Sequence, residues 1–293
     1  MKQTKIAGIG ELLWDVLPDS EQLGGAPINF AYHVSALGAE AVAISTIGND
    51  GRGVKALEEL QSRGVNTSYI SVLVQFPTGY VTARVDDQGI ATYEFPDDVA
   101  WDHLAINPAA QQCNAELKAI CFGTLAQRSD TARLTIQRYL ETTSADAIKV
   151  YDLNLRQNFY SRTTIETSLK LATVLKLNDE ELSLLSALLQ ITGSEHEQLA
   201  TLRKYFNLEL VILTKGGDGS ILITEREVSR HPGISTDIVD TIGAGDSFTA
   251  AVVTGLLLNR TLDEINTKAN GLAAYVCSQS GAMPSVPHHY RYE

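Results

Sequence analysis

Short apolar runs that alternate with longer amphipathic segments constrain the fold of this chain more than any other feature. The runs typical of buried strands are Ile6–Ile9, Ala41–Ile47, Ala119–Phe122, Ile148–Asp152, Thr173–Leu177 and Leu210–Leu213. The segments with helical periodicity are Pro27–Leu37, Gly51–Arg63, Asp130–Glu141, Asp179–Leu189, His196–Phe206 and Thr261–Ser278. Such alternation predicts an α/β fold, in which helices cover both faces of a doubly wound, mostly parallel sheet.

One region interrupts this alternation and predicts a small separate sheet. Thr78–Arg84 and Ile90–Phe95 alternate apolar and polar residues in period two, and the polar turn Asp86–Gly89 lies between them. No helix follows, so we predict a hairpin that cannot easily join the parallel sheet. We expect it to form a flap together with the early segment Glu11–Leu23.

The flap, about residues 11–24 and 78–96, is expected to lie over the carboxyl edge of the main sheet and to act as a lid. No linker rich in proline, glycine or serine divides the chain. Residues 1–293 are therefore predicted to form a single domain with an inserted lid. The exposed edge of a hairpin invites pairing, so a lid-mediated homodimer is a further expectation.

The acidic composition narrows the range of partners. The chain has 293 residues, with 23 Lys and Arg against 35 Asp and Glu, and a formal net charge of −12. This charge makes a nucleic acid or an anionic membrane an unfavourable partner. A nucleotide ligand is still compatible with it, because local backbone dipoles and Mg²⁺ can outweigh the field of the whole chain.

The cysteines and the apolar segments favour the cytoplasm. The three cysteines, Cys113, Cys121 and Cys277, are odd in number and widely spaced, which disfavours a disulfide framework or a zinc site and suits a reducing compartment. The N-terminal segment lacks the apolar run of a signal peptide. The longest apolar stretch, around Ala250–Leu258, has about half the length of a membrane span. We therefore predict a cytoplasmic protein without a membrane partner.

The stretch Asp240–Asp246, with the sequence Asp-Thr-Ile-Gly-Ala-Gly-Asp, carries the strongest chemical signal. It joins the strand-like segment Ile234–Asp240 to the helix-like segment Ser247–Leu258. A Gly-x-Gly turn that opens a helix presents unpaired N–H groups at the positive end of the helix dipole. Such a turn is suited to hold an anion, most often phosphate.

Within this stretch, Gly243, Ala244 and Gly245 are predicted to form an anion hole, and Asp246 lies beside it. A carboxylate next to the anion predicts the base of a phosphoryl transfer to an alcohol. Taken alone, the stretch is also compatible with an ordinary turn and a carboxylate at a helix N-terminus.

A second cluster, Gly24–Asn29, opens the first predicted helix. Its two glycines permit a close approach of the backbone, and Pro27 suits the first helical turn. Asn29 would lie in that turn, with an amide free to donate to and accept from a sugar hydroxyl. Asp15 follows the first predicted strand and would face the ligand crevice, where it could clamp vicinal hydroxyls together with Asn29. A plain loop-to-helix junction and a solvated carboxylate are the alternatives.

Two further clusters follow predicted strands. Arg156 ends the segment Asp152–Arg156 and could neutralise a transferring phosphoryl group. The carboxylates of Asn178–Glu181 could hold Mg²⁺ through water, although a simple helix N-cap also explains this segment. Both roles are compatible, since Asn178 can cap the helix while Glu181 orders metal-bound water.

The glycine-rich connection Thr214–Ser220 joins two predicted strands and is either a loose turn or a close approach to a nucleotide. Gly8–Gly10 opens like a dinucleotide fingerprint, but Leu13 occupies the third glycine position. Asp19 and Glu21, the acidic residues available for a ribose, precede any second strand. A nucleotide-dependent oxidoreductase is therefore the weaker alternative.

These motifs together resemble those of the ribokinase-like (PfkB) sugar kinases. Gly24–Ala31 resembles the amino-terminal signature of that family, and Asp240–Asp246 resembles its carboxyl-terminal signature. The resemblance covers essentially the whole chain. The segments GELLWDVLP, PTGYVTARVDDQGIATYEF, DLNLR, NDEE, TKGGDGS and GAMPSVP are similar to those of fructokinases.

The resemblance implies a ribokinase-like core with a β lid, ATP as the donor and a sugar hydroxyl as the acceptor. It implies that Asp246 is the base, that the anion hole is formed by the Gly243–Gly245 amides, and that the sugar contacts are Asp15, Gly25 and Asn29. It also implies an Asn-x-x-Glu metal motif at Asn178 and Glu181, and an adenine-nucleotide loop that contains Lys215, Gly217 and Gly219.

Many relatives bind a monovalent cation near the anion hole. Here a K⁺ site would involve Asp237 and the backbone around Val239 and Gly281. The chain departs from the usual DPNLR motif, because Leu153 replaces the proline. We expect this change to alter the stiffness of the loop and to leave Arg156 in place.

We predict an ATP-dependent sugar kinase that uses Mg²⁺. No basic cluster accompanies the sugar motifs, so a neutral ketohexose is favoured over a phosphorylated sugar. GELLWDVLP and YEF resemble fructokinases more than ketodeoxygluconate kinases. Kinases of ribose, ketodeoxygluconate or a nucleoside are alternatives within the family. A catalytically silent sugar-binding protein is another alternative, against which the intact Asp246 argues.

Overall fold

The structure, a computed structural model, describes residues 4–17, 20–85 and 91–292. The strands are β1 Lys5–Ile9, β2 Leu13–Leu17, β3 Ser20–Gly24, β4 Glu40–Ile44, β5 Thr46–Gly48, β6 Ser71–Leu73, β7 Gly79–Val85, β8 Ala91–Glu94, β9 Leu117–Gly123, β10 Ile148–Asp152, β11 Val174–Asn178, β12 Leu210–Thr214, β13 Ser220–Ile223 and β14 Val228–His231. The helices are α1 Ala26–Ala36, α2 Gly51–Ser62, α3 Pro108–Cys113, α4 Asp130–Thr142, α5 Arg162–Leu171, α6 Asp179–Leu189, α7 Glu195–Tyr205, α8 Ala244–Leu257 and α9 Leu262–Cys277.

The central sheet has eight strands within the described residues, in the order β14-β13-β12-β11-β10-β9-β1-β4. From β12 to β4 every neighbouring pair is parallel, and the antiparallel β13 and β14 extend one edge. Successive residues of a strand point to opposite faces, so Val150 packs with the helices α1, α8 and α9, and Tyr151 packs with α4 to α7. The predicted α/β architecture is thereby confirmed.

Two predicted strands differ from the structure. Ala41–Ile47 forms two strands, because the chain leaves the central sheet at Ser45, whose hydroxyl donates to the carbonyl of the residue that follows β1. The strand β5 then pairs with β6 in a separate sheet. Ile234–Asp240 forms no strand. The N–H of Val239 instead donates to Cys277 O at the end of α9, 2.9 Å away.

The helices α3 and α5 are not among those predicted from the sequence. Each starts after a polar side chain that accepts a backbone N–H, Asn107 for α3 and Ser161 for α5. Their apolar stripes are too short to predict a helix by periodicity alone. Among the described helices, none combines the length and the apolar character needed to cross a membrane.

A second sheet, in the order β3-β2-β7-β8, lies outside the central one. The predicted pairing is correct. The strand β7 pairs antiparallel with β8 and parallel with β2, and β2 pairs antiparallel with β3. The turn predicted at Asp86–Gly89 lies outside the described residues. The chain enters this sheet after β1 and returns from it into α1, so the two crossings lie side by side at the carboxyl edge of the central sheet.

Candidate active site

The turn predicted to be an anion hole forms the start of α8 and leaves backbone donors open. Gly243 caps α8 in the left-handed region, with φ 78°. The amides of Gly245 and Asp246 make no hydrogen bond within the described part of the chain, whereas the Ala244 amide makes a long bond of 3.4 Å to Thr241 O. The first turn of a helix leaves such donors free for a ligand.

Gly243→Ala is expected to lower kcat by roughly 10²–10³-fold, the cost of losing a donor from an oxyanion site. A Cβ on Gly243 would lie 2.5 Å from Ala282 O, and φ 78° already disfavours a side chain. Steady-state phosphoryl transfer measures the effect. Gly51→Ala is the control, because nothing lies within 4 Å of its added Cβ. Full turnover of the Gly243 variant would contradict a role for the open amides.

Asp246 lies in the first turn of α8 and lines a small cavity with Pro27, Asp152 and Thr249. Its Oδ2 accepts a hydrogen bond of 2.8 Å from Asn29 Nδ2. Burial and, after it, the charge of Asp152 raise the pKa of Asp246 to about 6, while the Asn29 bond opposes the rise. The side chain therefore faces the interior of the site, as a base for an incoming hydroxyl must.

Asn29 is 4% exposed, and its amide has two different surroundings. One N–H of Nδ2 is engaged by Asp246, which leaves the other N–H of this group as a donor for a sugar. The Oδ1 acceptor is buried without a hydrogen-bond partner in the described residues. Asn29 therefore orients Asp246 in this structure, and its contact with a sugar stays a prediction.

The predicted sugar contacts Asp15 and Gly25 lie where the small sheet joins the core. Asp15 is in the middle of β2, so it belongs to the predicted lid rather than to the edge of the central sheet. Burial raises its pKa to about 6. Gly25 has φ 108°, and a Cβ there would lie 2.3 Å from Glu11 O. Only glycine allows the two crossings to approach so closely.

A buried ion pair that the sequence did not indicate lies beside the anion hole. Lys176 Nζ is 3.1 Å from Asp152 Oδ1, and the two side chains are 10% and 5% exposed. The same Nζ would lie 3.0 Å from a Cβ on Gly245. Burial alone would lower the pKa of Lys176, but the carboxylates of Asp152, Glu181 and Asp246 raise it above its usual value. The only sequence signal is a lysine inside the apolar run Thr173–Leu177.

The Asn-x-x-Glu segment forms a capping box at the start of α6. Asn178 Oδ1 accepts the Glu181 N–H at 2.8 Å, and Glu181 Oε2 accepts the Asn178 N–H at 2.9 Å. Glu181 Oε1 accepts the Leu155 N–H at 2.8 Å. Burial raises the pKa of Glu181, and the ammonium group of Lys176 opposes the rise. The predicted cap is therefore present.

The carboxylates of Asp152 and Glu181 are the candidates for holding Mg²⁺. Among the described residues, no three His, Cys, Asp or Glu side chains converge as a metal cage. Mg²⁺ usually keeps several waters and is held by one or two carboxylates together with substrate phosphates. Asp152 and Glu181 lie at the ends of the neighbouring strands β10 and β11. They fit that mode, because both are close enough to Lys176 for their charges to raise its pKa.

Arg156 is exposed and forms no ion pair within the described residues. Its charge nevertheless lowers the pKa values of both Asp15 and Asp246, which places it at the same crevice. Leu153, the departure from the usual proline, donates its N–H to Lys176 O at 2.9 Å. Proline has no such donor, so the replacement adds a backbone bond between β10 and β11.

The glycine-rich loop Thr214–Ser220 lies at the same edge, because Thr214 pairs with Asn178. Gly219 has φ 84°, and a Cβ there would lie 2.0 Å from His231 O. By contrast, nothing lies within 4 Å of a Cβ on Gly217. Lys215 is engaged by Glu195 at 3.0 Å, so its predicted nucleotide contact would require that this ion pair opens.

Two of the residues predicted for a cation site, Asp237 and Val239, lie in the loop that precedes the glycine-rich turn at the start of α8. Asp237 is exposed, and no hydrogen bond is found between it and Gly281 in the described part of the chain. The carboxylate that reaches this turn belongs to Asp240, whose Oδ2 accepts the Gly281 N–H and whose Oδ1 accepts the Ile242 N–H, each at 3.0 Å. The reason is that residues 237–239 point to solvent, with Val239 64% exposed. K⁺ binding stays a prediction.

The glycines of the failed dinucleotide motif have a packing role. A Cβ on Gly8 would lie 2.0 Å from Pro27 O, and one on Gly10 would lie 2.9 Å from the Pro27 ring. They allow α1 to pack directly on β1. The turn that an oxidoreductase would need for a pyrophosphate is therefore filled by protein.

Comparisons with known proteins agree with this geometry. The profile of the pfkB family carbohydrate kinases matches residues 10–289. The chain is 30% identical to an uncharacterized sugar kinase from Pyrococcus horikoshii, over 94% of this chain and 91% of that one. The crystal structure of that kinase matches with a TM-score of 0.83, over 97% of this chain and 95% of the other, at 29% identity.

Two fructokinases are also similar. The Escherichia coli fructokinase is 27% identical, over 97% of this chain and 96% of its own. A fructokinase with bound ATP from Xylella fastidiosa has the same fold, with a TM-score of 0.85 over 98% of this chain and 96% of that one, at 21% identity.

Fold, crevice and comparisons define a phosphotransferase whose acceptor is a hydroxyl group. More narrowly, the chain belongs to the pfkB family of carbohydrate kinases.

Proposed function

We propose that this kinase transfers the γ-phosphoryl group of ATP to a primary hydroxyl of a neutral ketohexose, with fructose as the preferred acceptor. The similarity to the Escherichia coli fructokinase supports the sugar, at 27% identity over nearly the whole chain. A crystal structure of the Pyrococcus horikoshii relative is a complex with ATP, which supports the donor.

The acidic side chains of the crevice favour a neutral sugar over a sugar phosphate. Asp15 and Asp246 are the carboxyl groups beside the proposed acceptor, and burial raises the pKa of each to about 6. Arg156 is a cation that lowers both pKa values. A sugar phosphate would add up to two negative charges beside these carboxylates, whereas a neutral sugar adds none.

The chemistry follows from the positions of the polar groups. A hydroxyl of the bound sugar lies beside Asp246, which removes its proton as the hydroxyl oxygen bonds to the γ-phosphorus and the bond from that phosphorus to ADP breaks. The amides at the start of α8 and the cation Lys176 stabilise the charge that develops on the phosphoryl oxygens. Closure of the small sheet excludes water, which would otherwise accept the phosphoryl group.

Mg²⁺ bound to the phosphates would neutralise part of their charge. Asp152 and Glu181 are the residues that would hold it, through water. Arg156 is free to turn toward the phosphates, because no ion pair within the described residues fixes it.

A panel of acceptors tests the proposal. ADP release is measured with fructose, ribose, ketodeoxygluconate, adenosine and fructose 6-phosphate at constant Mg²⁺ and ATP. The expected result is the highest kcat/KM for fructose, and a lower kcat/KM for fructose 6-phosphate through a raised KM. A higher kcat/KM for fructose 6-phosphate or for ribose would refute the proposed acceptor, while a lack of ADP release with every sugar would refute the kinase itself.

We also propose a cytoplasmic location and a homodimer formed through the small sheet. Each of the three cysteines is a free thiol, which suits a reducing compartment. The β3 and β8 edges of the small sheet have no strand partner in the described residues. Light scattering at several protein concentrations tests the dimer, and a monomer throughout would refute it.

A further inference from the structure

Glu11 is a buried carboxyl group that the proposed reaction does not use. The residue is 1% exposed and lies between β1 and β2, at the entry to the small sheet. Its Oε1 accepts the N–H of Ala26, the first residue of α1, at 3.2 Å. Its Oε2 is buried and has no hydrogen-bond partner in the described residues.

A second buried acceptor without a partner lies on the same helix. Asn29 Oδ1 is one helical turn after Ala26, and residues three apart lie on the same face of a helix. Asn29 Nδ2 donates to Asp246, and the charge of Asp246 in turn raises the pKa of Glu11. Two buried acceptors that share one neighbourhood are satisfied together if one of them carries a proton.

The charges around Glu11 favour the protonated form. Asp246 on α8 is negative, and the thiol of Cys121 on β9 is neutral because burial raises its pKa. Arg156 is a cation that lowers the pKa of Glu11, but within the described residues no ion pair joins the two side chains. Burial is the largest influence and raises the pKa of Glu11 to about 7. An uncharged carboxylic acid avoids most of this cost.

We propose that Glu11 is a neutral acid in the resting enzyme, and that its Oε2–H is shared with Asn29 Oδ1. This bond holds the Asn29 amide with its Nδ2–H toward Asp246, so Glu11 is a positioning residue for the base. The proposal deepens the proposed kinase reaction and rests on it. Ionised Glu11 would instead attract the amide N–H, and the amide would turn its oxygen toward Asp246, where two acceptors repel each other.

The pH dependence follows from this arrangement. Asp246 must lose its proton to act, so kcat rises as pH rises through the pKa of Asp246. Glu11 must keep its proton, so kcat falls again as pH rises through the pKa of Glu11. A bell-shaped profile is therefore expected, and its alkaline limb belongs to Glu11.

The test compares Glu11→Gln with Glu11→Leu. Glutamine keeps an acceptor for the Ala26 N–H and a donor for Asn29 Oδ1 at every pH, so Glu11→Gln should retain turnover near wild type and lose the alkaline limb. Leucine supplies neither group, and kcat should fall by roughly 10²-fold, as for a misplaced reacting group. KM for ATP should change little in either variant.

Two outcomes would overturn the proposal. If Glu11→Gln loses as much turnover as Glu11→Leu, the charge of the carboxylate is needed. If the alkaline limb persists in Glu11→Gln, another group causes it. Thermal unfolding shows whether Glu11→Leu is folded, and the glutamine comparison stands if it is not.

A spectroscopic measurement separates this proposal from the identity of the sugar. Infrared difference spectra of the resting protein, wild type minus Glu11→Gln, should contain the carbonyl band of a protonated carboxyl group at neutral pH. The band should disappear at alkaline pH. Its absence at neutral pH would refute the neutral acid, whichever acceptor the kinase uses.

Discussion

Asp246→Asn is expected to lower kcat by roughly 10²–10⁴-fold and to leave the affinity for ATP nearly unchanged. The amide cannot accept the proton of the acceptor hydroxyl, while the open amides of the anion hole are retained. Asn29 can still form a hydrogen bond to the new side chain. ADP release measures the loss of turnover, and calorimetric titration with Mg-ATP measures binding.

The stability of the variant provides a control. Folding raises the pKa of Asp246 from 3.8 to about 6. The contribution of this group to the free energy of unfolding is therefore fully present below pH 3.8 and is lost as pH rises through 6. Asp246→Asn should therefore unfold at no lower temperature than wild type at neutral pH. Asp130→Asn, an exposed acid in the first turn of α4, should keep full turnover. Full turnover of Asp246→Asn would remove the proposed base.

Lys176→Met is expected to reduce the free energy of unfolding by about 3–5 kcal/mol, the usual cost of breaking a buried ion pair. The substitution leaves the Asp152 carboxylate buried without its counter-ion, and Glu181 loses the same positive neighbour. We also expect kcat to fall, because the ammonium group lies beside the anion hole. Urea unfolding and ADP release measure the two effects.

A double-variant cycle separates stability from catalysis. Asp152→Asn added to Lys176→Met removes the uncompensated charge, so most of the stability should return. The turnover of the double variant should stay below that of Asp152→Asn alone, because the cation is still absent. Turnover that returns together with stability would show that Lys176 only balances Asp152.

The local elements of the fold were predictable because their causes are local. Apolar runs and helical periodicity place β10 at Ile148–Asp152 and α6 at Asp179–Leu189, as predicted. Asn178 and Glu181 form the capping box that their three-residue spacing indicates. The alternation of apolar and polar residues also identified the strands of the small sheet, because a strand with one buried face shows this pattern.

The features that the sequence did not predict correctly depend on bonding partners that lie far away in the chain. Ile234–Asp240 alternates like a strand but has no edge to join, so its amides bond to the end of α9. The carboxylate of Asp240 accepts the Gly281 N–H, and the path of this loop depends on where α9 ends. Lys176 lies inside an apolar run, and only the neighbouring strand shows that Asp152 neutralises it.

The sequence by itself determined the family, the α/β architecture and the glycine-rich turn before α8, because their signals lie in residues close together in the chain. The tertiary structure decided how the base is held. Asn29 and Asp246 are 217 residues apart and meet at 2.8 Å only because α1 and α8 pack on the same face of the sheet. The same packing removes Glu11 and Asn29 from water, and burial gives these polar groups their chemical roles.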